Sequence, residues 1–225
     1  MPNIDADAKA FEMTRAGSFG NAVSWRRKAL KLTASDLSRR TAELGYPISR
    51  GAIAKIESNL RSGKIDIAEV LVLSAALDIP PVLLLFPNFS TDGPEQLLPG
   101  FSVRNQDAVR WMAGRMSFPQ KVRTLDYSLE GQPAPPNDGV NLIAAASLLE
   151  QVVETRISLV DHLHKVHGDA AEARTAQRML EKNSEQIEAI GKQIRDAREA
   201  LWGMRSDIQE LQDESDEAPE DESDD

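Results

Sequence analysis

Residues 18–87 combine apolar side chains at helical spacing with closely spaced residues that begin or end helices. Thr33 and Ser49 are favoured N-caps, while Gly45 and Pro47 prevent the helix between them from continuing. One long helix is therefore excluded, and the apolar spacing of three and four residues does not favour strands. The segment predicts five short helices around one core, at residues 19–31, 34–44, 50–58, 66–77 and 82–86.

The rest of the chain divides into four segments of different composition. Residues 1–17 are weakly patterned and predict a flexible leader, and residues 88–139 are rich in proline and glycine and predict a linker. Residues 140–212 are helical in pattern, and the acidic residues 213–225 predict a disordered tail. We therefore predict an all-α protein, in which a five-helix domain at 18–87 is followed by a C-terminal helical hairpin or coiled coil.

Trp111 lies in a short predicted helix inside the linker. An indole in this position usually docks onto a neighbouring domain, which is the interpretation that we favour. A ligand-sensing pocket or an interaction site is the alternative.

From residue 173 the apolar residues alternate strictly at three and four positions, which is typical of a coiled-coil seam. Asn183 is polar and lies inside this seam, where it would fix the register of pairing at some cost in stability. The predicted core comprises Ala173, Ala176, Leu180, Asn183, Ile187, Ile190, Ile194, Ala197, Leu201, Met204, Ile208 and Leu211.

A helix with such an apolar face needs a partner, because the face cannot stay in water. Residues 140–167 are one candidate, since a break at Gly168–Asp169 would let the chain fold back as an antiparallel hairpin. A second copy of the chain is the other candidate, which we favour, and the two arrangements combine in a four-helix dimer. The face predicted for residues 140–167 comprises Leu142, Ala146, Leu149, Val153, Ile157, Val160 and Leu163.

Charge is strongly segregated along the chain. The net charge is −10, but residues 213–225 hold nine acidic residues and no basic one. Residues 19–64 hold ten Lys or Arg against three Asp or Glu. Local charge decides which surface meets a phosphate backbone, so the acidic total does not exclude nucleic acid. The tail has two interpretations: it competes with phosphate for the basic region, or it only solubilises the chain.

The chain resembles the Cro/repressor-type (XRE-like) helix-turn-helix family, and the resemblance is carried by LTASDLSRRTAELGYPISRGAIAKIESNLRSGKIDIAEVLVLSAALDIPPVLLL. Its most specific parts are ISRGAIAKIE, the helix ending AALDIP and the apolar turn after it. The resemblance implies a repressor-like DNA-binding domain in which helix 49–58 lies in the major groove, braced by the helix before it. The base-facing positions that it implies are Ser49, Arg50, Gly51 and Lys55.

The resemblance also implies an ion pair between Arg27 in the first helix and Glu57 at the end of the third. Two features depart from the family. Ala34 stands where the family often has a glutamine that contacts phosphate or base, and the connection between the second and third helices is about three residues longer. The second departure bears on how deeply the third helix docks.

The residues of the third helix are suited to reading base edges for physical reasons. Arg50 can span O6 and N7 of a guanine, and the small residues Gly51, Ala52 and Ala54 let the helix approach the groove floor. Lys55, one turn along, reaches a second base or a phosphate. The predicted phosphate contacts, which position without specifying, are Arg39, Arg40, Arg61 and Lys64.

Other classes of function find little support. There is no Gly-rich phosphate loop and no nucleophile motif, so we predict no enzymatic activity and no cofactor. Asp161, His164 and His167 share a predicted helix face but lack a fourth ligand, so we predict no metal site. The absence of cysteine fits a cytoplasmic protein, and no apolar run approaches the roughly 20 residues that span a membrane.

These observations predict a sequence-specific transcriptional regulator, a repressor that binds double-stranded DNA as a homodimer. The alternative is an antitoxin-like or adaptor protein whose C-terminal helices bind a partner protein.

Overall fold

The computed structural model describes residues 6–89, 93–123, 128–166 and 170–203, and these fall into two compact units, within residues 1–134 and 135–225. The described residues are mostly helical. The helices of the first unit are α1 (Ala6–Ala29), α2 (Ala34–Glu43), α3 (Arg50–Glu57), α4 (Ile67–Ala76), α5 (Pro81–Leu85) and α6 (Asn105–Met112). Its strands are β1 (Pro94–Leu98), β2 (Phe101–Arg104), β3 (Lys121–Val122) and β4 (Leu129–Glu130). The second unit contains α7 (Asp138–Lys165) and α8 (Ala170–Trp202).

Helices α2, α3 and α4 begin where the sequence supplies an N-cap. Thr33 and Asp36 form a capping box at α2, Ser49 accepts a hydrogen bond from the Ala52 N–H at α3, and Asp66 caps α4. Each helix buries one side in a core shared with α1 and α5. That core comprises Phe19, Ala22, Val23, Leu37, Ile48, Ile53, Ile56, Val70, Leu73, Ala76, Leu77 and Leu84.

The prediction of a flexible leader at 1–17 is wrong from Ala6 onwards, because α1 begins there. Gly17 and Gly20 weaken the helical pattern, since each glycine costs about 1 kcal/mol relative to alanine in a helix. In the fold Gly20 is required, because a Cβ at this position would lie 2.2 Å from the Ile56 carbonyl oxygen. Gly20 therefore lets α1 pack closely against α3.

The prediction of a linker at 88–139 and of an all-α fold is also wrong in part. Strands β1 and β2 form an antiparallel hairpin, and β3 pairs antiparallel with β4. The prolines and glycines of this region make turns, as at Gly100, whose φ is +68°. A second core joins this extension to α5, and its buried members are Phe86, Leu97, Val103 and Ala108.

Arg15 of α1 fastens the extension to the helical core. Its guanidinium pairs with Glu95 of β1, donates to the Leu85 carbonyl and lies 4.6 Å from the centre of the Phe86 ring. Trp111 packs against the same core and meets the Phe118 ring edge-on at 5.7 Å. Trp111 therefore packs inside the first unit, and its docking onto a neighbouring domain stays a prediction.

In the second unit, α7 and α8 pack against each other as an antiparallel hairpin. His162 near the end of α7 lies 3.3 Å from Glu172 near the start of α8, and the Asn183 amide donates to the Val152 carbonyl. Of the two arrangements left open by the sequence, this is the intramolecular one. The predicted break at Gly168–Asp169 and the predicted tail at 213–225 lie outside the described residues.

The face predicted for α7 is only partly correct. Four of its predicted members are partly buried (Leu142, Leu149, Val160 and Leu163), whereas Ala146, Val153 and Ile157 are exposed. Ala145 and Val152, which were not predicted, are buried and partly buried. The side of α7 that contacts α8 is therefore turned around the helix axis from the predicted side. The sequence could not decide between the two sides, because the apolar surface of α7 is wider than one partner helix can cover. None of the described helices is long and apolar enough to cross a membrane.

Candidate nucleic-acid interface

The turn between α2 and α3 is held by Thr41, which is fully buried. Its hydroxyl donates to the Ser38 carbonyl at 2.8 Å and accepts from the Ile48 N–H at 3.0 Å. Gly45 adopts a φ of +86°, and the Tyr46 N–H donates to the Thr41 carbonyl. These bonds close the lengthened connection against the core, so the start of α3 has a defined position.

Helix α3 buries one face and exposes the other. Ile53 and Ile56 lie in the core, while Ser49, Arg50, Gly51, Ala54 and Lys55 are exposed. Residues of the exposed set lie at the first turn and one turn later, which places them along one side of the helix. The Ser49 hydroxyl is used as the cap of α3, which leaves its proton free to donate outward.

The C-terminal end of α3 is joined to α1 by Arg27 and Glu57. Arg27 Nε lies 2.6 Å from Glu57 Oε1, Arg27 Nη2 lies 2.7 Å from Oε2, and Nη1 donates to the Leu32 carbonyl. The side chains are 13% and 14% exposed. The hydrogen bond to Glu57 raises the pKa of Arg27 above its ordinary value. This two-point contact fixes the angle at which α3 leaves the core.

The loop after α3 is anchored to the N-terminal part of α1. The Asn59 amide donates to the Met13 carbonyl at 2.9 Å, and Lys9 Nζ donates to the Ser62 carbonyl. Gly63 has a φ of +82°, and a Cβ there would meet Glu12 at 3.0 Å. The segment predicted to be a leader therefore sets the position of the loop that carries Arg61 and Lys64.

The four predicted phosphate contacts are not equivalent. Arg39 lies 2.9 Å from Glu43 and 3.6 Å from Asp36, although it remains 63% exposed. Arg40 donates to the Ala76 carbonyl at the end of α4. Arg61 pairs with the buried Glu69. Lys64 is exposed and makes no ion pair with the described residues.

Arg50, Lys55 and Lys64 thus form a group of exposed cations on α3 and on the loop that follows it. None of the three makes an ion pair within the described ranges, in contrast to Arg27, Arg39 and Arg61. Such side chains lose no intramolecular partner when they contact an anion. The group has the composition of a base-reading helix with an adjacent phosphate contact. Ala34, at the start of α2, packs against the core and offers no polar group here.

The predicted coiled-coil positions on α8 face α7 of the same chain. Asn183 and Ile190 are buried, Leu180, Ile187 and Ile194 are partly buried, and Leu201 at the end of α8 is exposed. Met204, Ile208 and Leu211 lie outside the described residues, as does His167. No cluster of three potential metal ligands occurs among the residues that the structure describes.

Several residues that position this surface were missed by sequence reasoning. Periodicity assigns Thr41 to the buried face of α2, but nothing in the neighbouring residues indicates that its hydroxyl accepts a hydrogen bond from Ile48 across the turn. Arg15 and Glu95 are separated by 80 residues, so their pairing could not be predicted. The role of Gly20 could have been predicted, because a glycine inside a helical pattern often marks a position where another backbone approaches closely.

No protein-family model, curated protein or solved structure matches this chain.

Proposed function

We propose that this chain is a sequence-specific DNA-binding regulator, a repressor that acts as a homodimer and places α3 in the major groove. The observation that supports this most directly is the state of α3. Its buried face and both of its ends are fixed to the core, while its outward face presents Arg50, Gly51 and Lys55 with no intramolecular ion pair. A rigid helix with unpaired cations beside small residues matches the requirements of base-edge recognition.

Each residue of the surface has a distinct role in the proposal. Arg50 contacts a guanine, Ser49 and Gly51 lie close to the groove floor, and Lys55 contacts a second base or a phosphate. Lys64 contacts the phosphate backbone directly. Arg39, Arg40 and Arg61 add positive potential near the backbone while they remain bound to Glu43, to the Ala76 carbonyl and to Glu69.

Selection of binding sites from random duplex DNA with the purified full-length protein tests the proposal. We expect one enriched motif for the wild type. Arg50→Ala should reduce affinity for that motif by about 5- to 150-fold, corresponding to about 1–3 kcal/mol, and relax the preference at one base pair.

Arg39→Ala is the matched control, since it removes an exposed arginine that already has carboxylate partners. It should weaken binding to all sequences similarly and by less. Selection that yields no motif from the wild type contradicts the proposal. Equal weakening by Arg50→Ala on every sequence contradicts the base-reading role of Arg50.

A second candidate function is that of an antitoxin-like protein or adaptor. It is favoured by the exposed apolar side chains of the second unit, among them Leu148, Met179 and Trp202. Purification of the tagged chain from its natural cells distinguishes the two. An adaptor recovers one other protein in stoichiometric amount, whereas the homodimeric repressor recovers only itself.

A further inference from the structure

The loop after α3, residues 58–64, has a backbone conformation that its own residues only partly favour. Asn59 and Ser62 both have a φ of +54°, and Gly63 has a φ of +82°. Glycine and asparagine adopt this left-handed region readily, but serine does so only where the surrounding structure holds it there. Three such residues among five positions therefore need contacts from elsewhere in the fold to keep one conformation.

These contacts come from the N-terminal half of α1, residues 6–17. The Asn59 amide donates to the Met13 carbonyl at 2.9 Å, and Lys9 Nζ donates to the Ser62 carbonyl. Both bonds end on backbone carbonyls, one in the helix and one in the loop. The loop is therefore anchored to α1 at two of its left-handed residues.

Two glycines allow the loop and α1 to come this close. A Cβ at Gly17 of α1 would lie 3.2 Å from Asn59 Nδ2, and a Cβ at Gly63 of the loop would lie 3.0 Å from Glu12 Cβ. Both distances are shorter than an ordinary van der Waals contact. A side chain at either position would push the loop away from α1.

The loop carries cations of the candidate nucleic-acid interface. Lys55, Asn59, Arg61 and Lys64 line one small cavity of about 10 Å³ beside α3. Arg61 is held there by Glu69, whereas Lys55 and Lys64 make no ion pair with the residues that the structure describes. A displacement of the loop would therefore move Lys64 relative to α3, and the contact of an ammonium with a phosphate depends on that spacing.

We propose that the N-terminal half of α1 belongs to the DNA-binding machinery, with Asn59 as the positioning residue through which it acts. Asn59 holds the loop at the spacing at which Lys64 contacts a phosphate while Arg50 lies in the major groove. A loop that is already ordered loses less conformational freedom when DNA binds. The inference rests on the proposed function. It gives residues 6–17 a role in affinity and none in the choice of bases, because phosphate contacts position the protein without specifying sequence.

Binding of the full-length protein to the selected DNA motif and to an unrelated duplex, at salt concentrations from about 50 to 200 mM, tests this role. Asn59→Gly removes the bond to Met13 but keeps a residue that adopts positive φ. We expect affinity to fall by about tenfold on both duplexes, the loss typical of one hydrogen bond to a charged group. The slope of log affinity against log salt concentration should fall by about one, because one phosphate contact is lost.

Ser62→Gly is the matched control, since Ser62 has the same φ as Asn59 and its side chain makes no hydrogen bond to the described residues. It adds the same flexibility to the loop and should bind both duplexes as the wild type does. Gly17→Val is a second variant, which fills the space of the Asn59 amide although valine favours a helix more than glycine does. It should leave α1 helical by circular dichroism and still lower the affinity for both duplexes. A purely structural role of α1 does not predict that combination.

The possible results separate this inference from the proposed function. If the wild type selects a motif while Asn59→Gly binds both duplexes normally, or while Ser62→Gly is equally impaired, the inference alone is refuted. A change in the selected motif on Asn59→Gly also overturns it, because the loop would then act on base reading. If the wild type selects no motif, the proposed function fails and this inference fails with it.

Discussion

Neutralising Glu57 should destabilise the first unit far more than neutralising an exposed carboxylate. Glu57 receives two hydrogen bonds from Arg27, at 2.6 and 2.7 Å, and both side chains are mostly buried. Glu57→Gln keeps the shape and one acceptor but removes the charge. The guanidinium is then left with one neutral acceptor at position 57 and with the Leu32 carbonyl.

The size of the effect lies between two limits. Removing one member of a fully buried ion pair costs about 3–5 kcal/mol, whereas an exposed pair is worth about 0–1 kcal/mol. The retained hydrogen bond lowers the cost, and so does the loss of a carboxylate from the C-terminal end of α3, worth about 0.3–1 kcal/mol. We expect a net loss of about 2–3 kcal/mol, or roughly 8–12 °C in the melting temperature of a domain of this size.

Calorimetry of the full chain measures this shift in the transition of the first unit. Glu43→Gln is the matched control, because Glu43 pairs with Arg39 at 2.9 Å while both remain about 60% exposed. It should shift the transition by no more than roughly 4 °C. Replacing both partners, as Arg27→Met with Glu57→Leu, should recover part of the loss. If Glu57→Gln is no more harmful than Glu43→Gln, the pair does not hold α3.

Three further perturbations test the packing around α3 and the cap of α2. Gly20→Ala should cost about 1–3 kcal/mol by overpacking, because its Cβ would lie 2.2 Å from the Ile56 carbonyl oxygen. Gly51→Ala, whose Cβ would meet Ser49 Oγ at an ordinary 4.0 Å, should be neutral or stabilising in thermal melts. Thr41→Val should cost about 1–3 kcal/mol in urea unfolding by leaving the Ile48 N–H unsatisfied; an unchanged midpoint refutes that bond. The hydrogen bonds from Thr33 lower the pKa of the Asp36 carboxyl in the folded protein. The stability that this carboxylate contributes to the fold is therefore fully present above the unfolded pKa of about 3.9 and is lost as pH falls through the lower folded pKa. Wild type should exceed Asp36→Asn in stability at pH 7, with the gap closing below about pH 4.

Local chemistry explains why the centre of the first unit was predictable. The caps at Thr33, Ser49 and Asp66 act within three residues of themselves, so their effect is visible in any short stretch of sequence. The positions of Arg50 and Lys55 on the exposed side of α3 follow from its period once Ile53 and Ile56 are assigned to the core. The ion pair between Arg27 and Glu57 could be predicted only from the resemblance to a known family.

Contacts between distant residues explain what was missed. Helix α1 was assigned too late a start because residues 1–17 are weakly patterned and Gly17 is a poor helix former, while the benefit of Gly17 comes from the close approach of Asn59 in the loop after α3. Residues 93–130 read as a linker because turn residues dominate, while their core depends on Phe86. The orientation of α7 was wrong because a helix with a wide apolar surface has more than one face that could pack on α8.

The contacts that Arg15 and Phe86 make with residues of β1 and β2 determine where a fragment that folds alone can end. The helical periodicity stops near residue 87, which suggests a fragment boundary there. A fragment that ends there would lack Leu97 and Val103, which pack with Phe86 in the second core. It would also lack Glu95, the ion-pair partner of Arg15. The smallest fragment that we expect to fold on its own therefore runs from the start of α1 through β4. This fragment is nearly twice as long as residues 18–87, the segment that apolar periodicity predicts to be a domain.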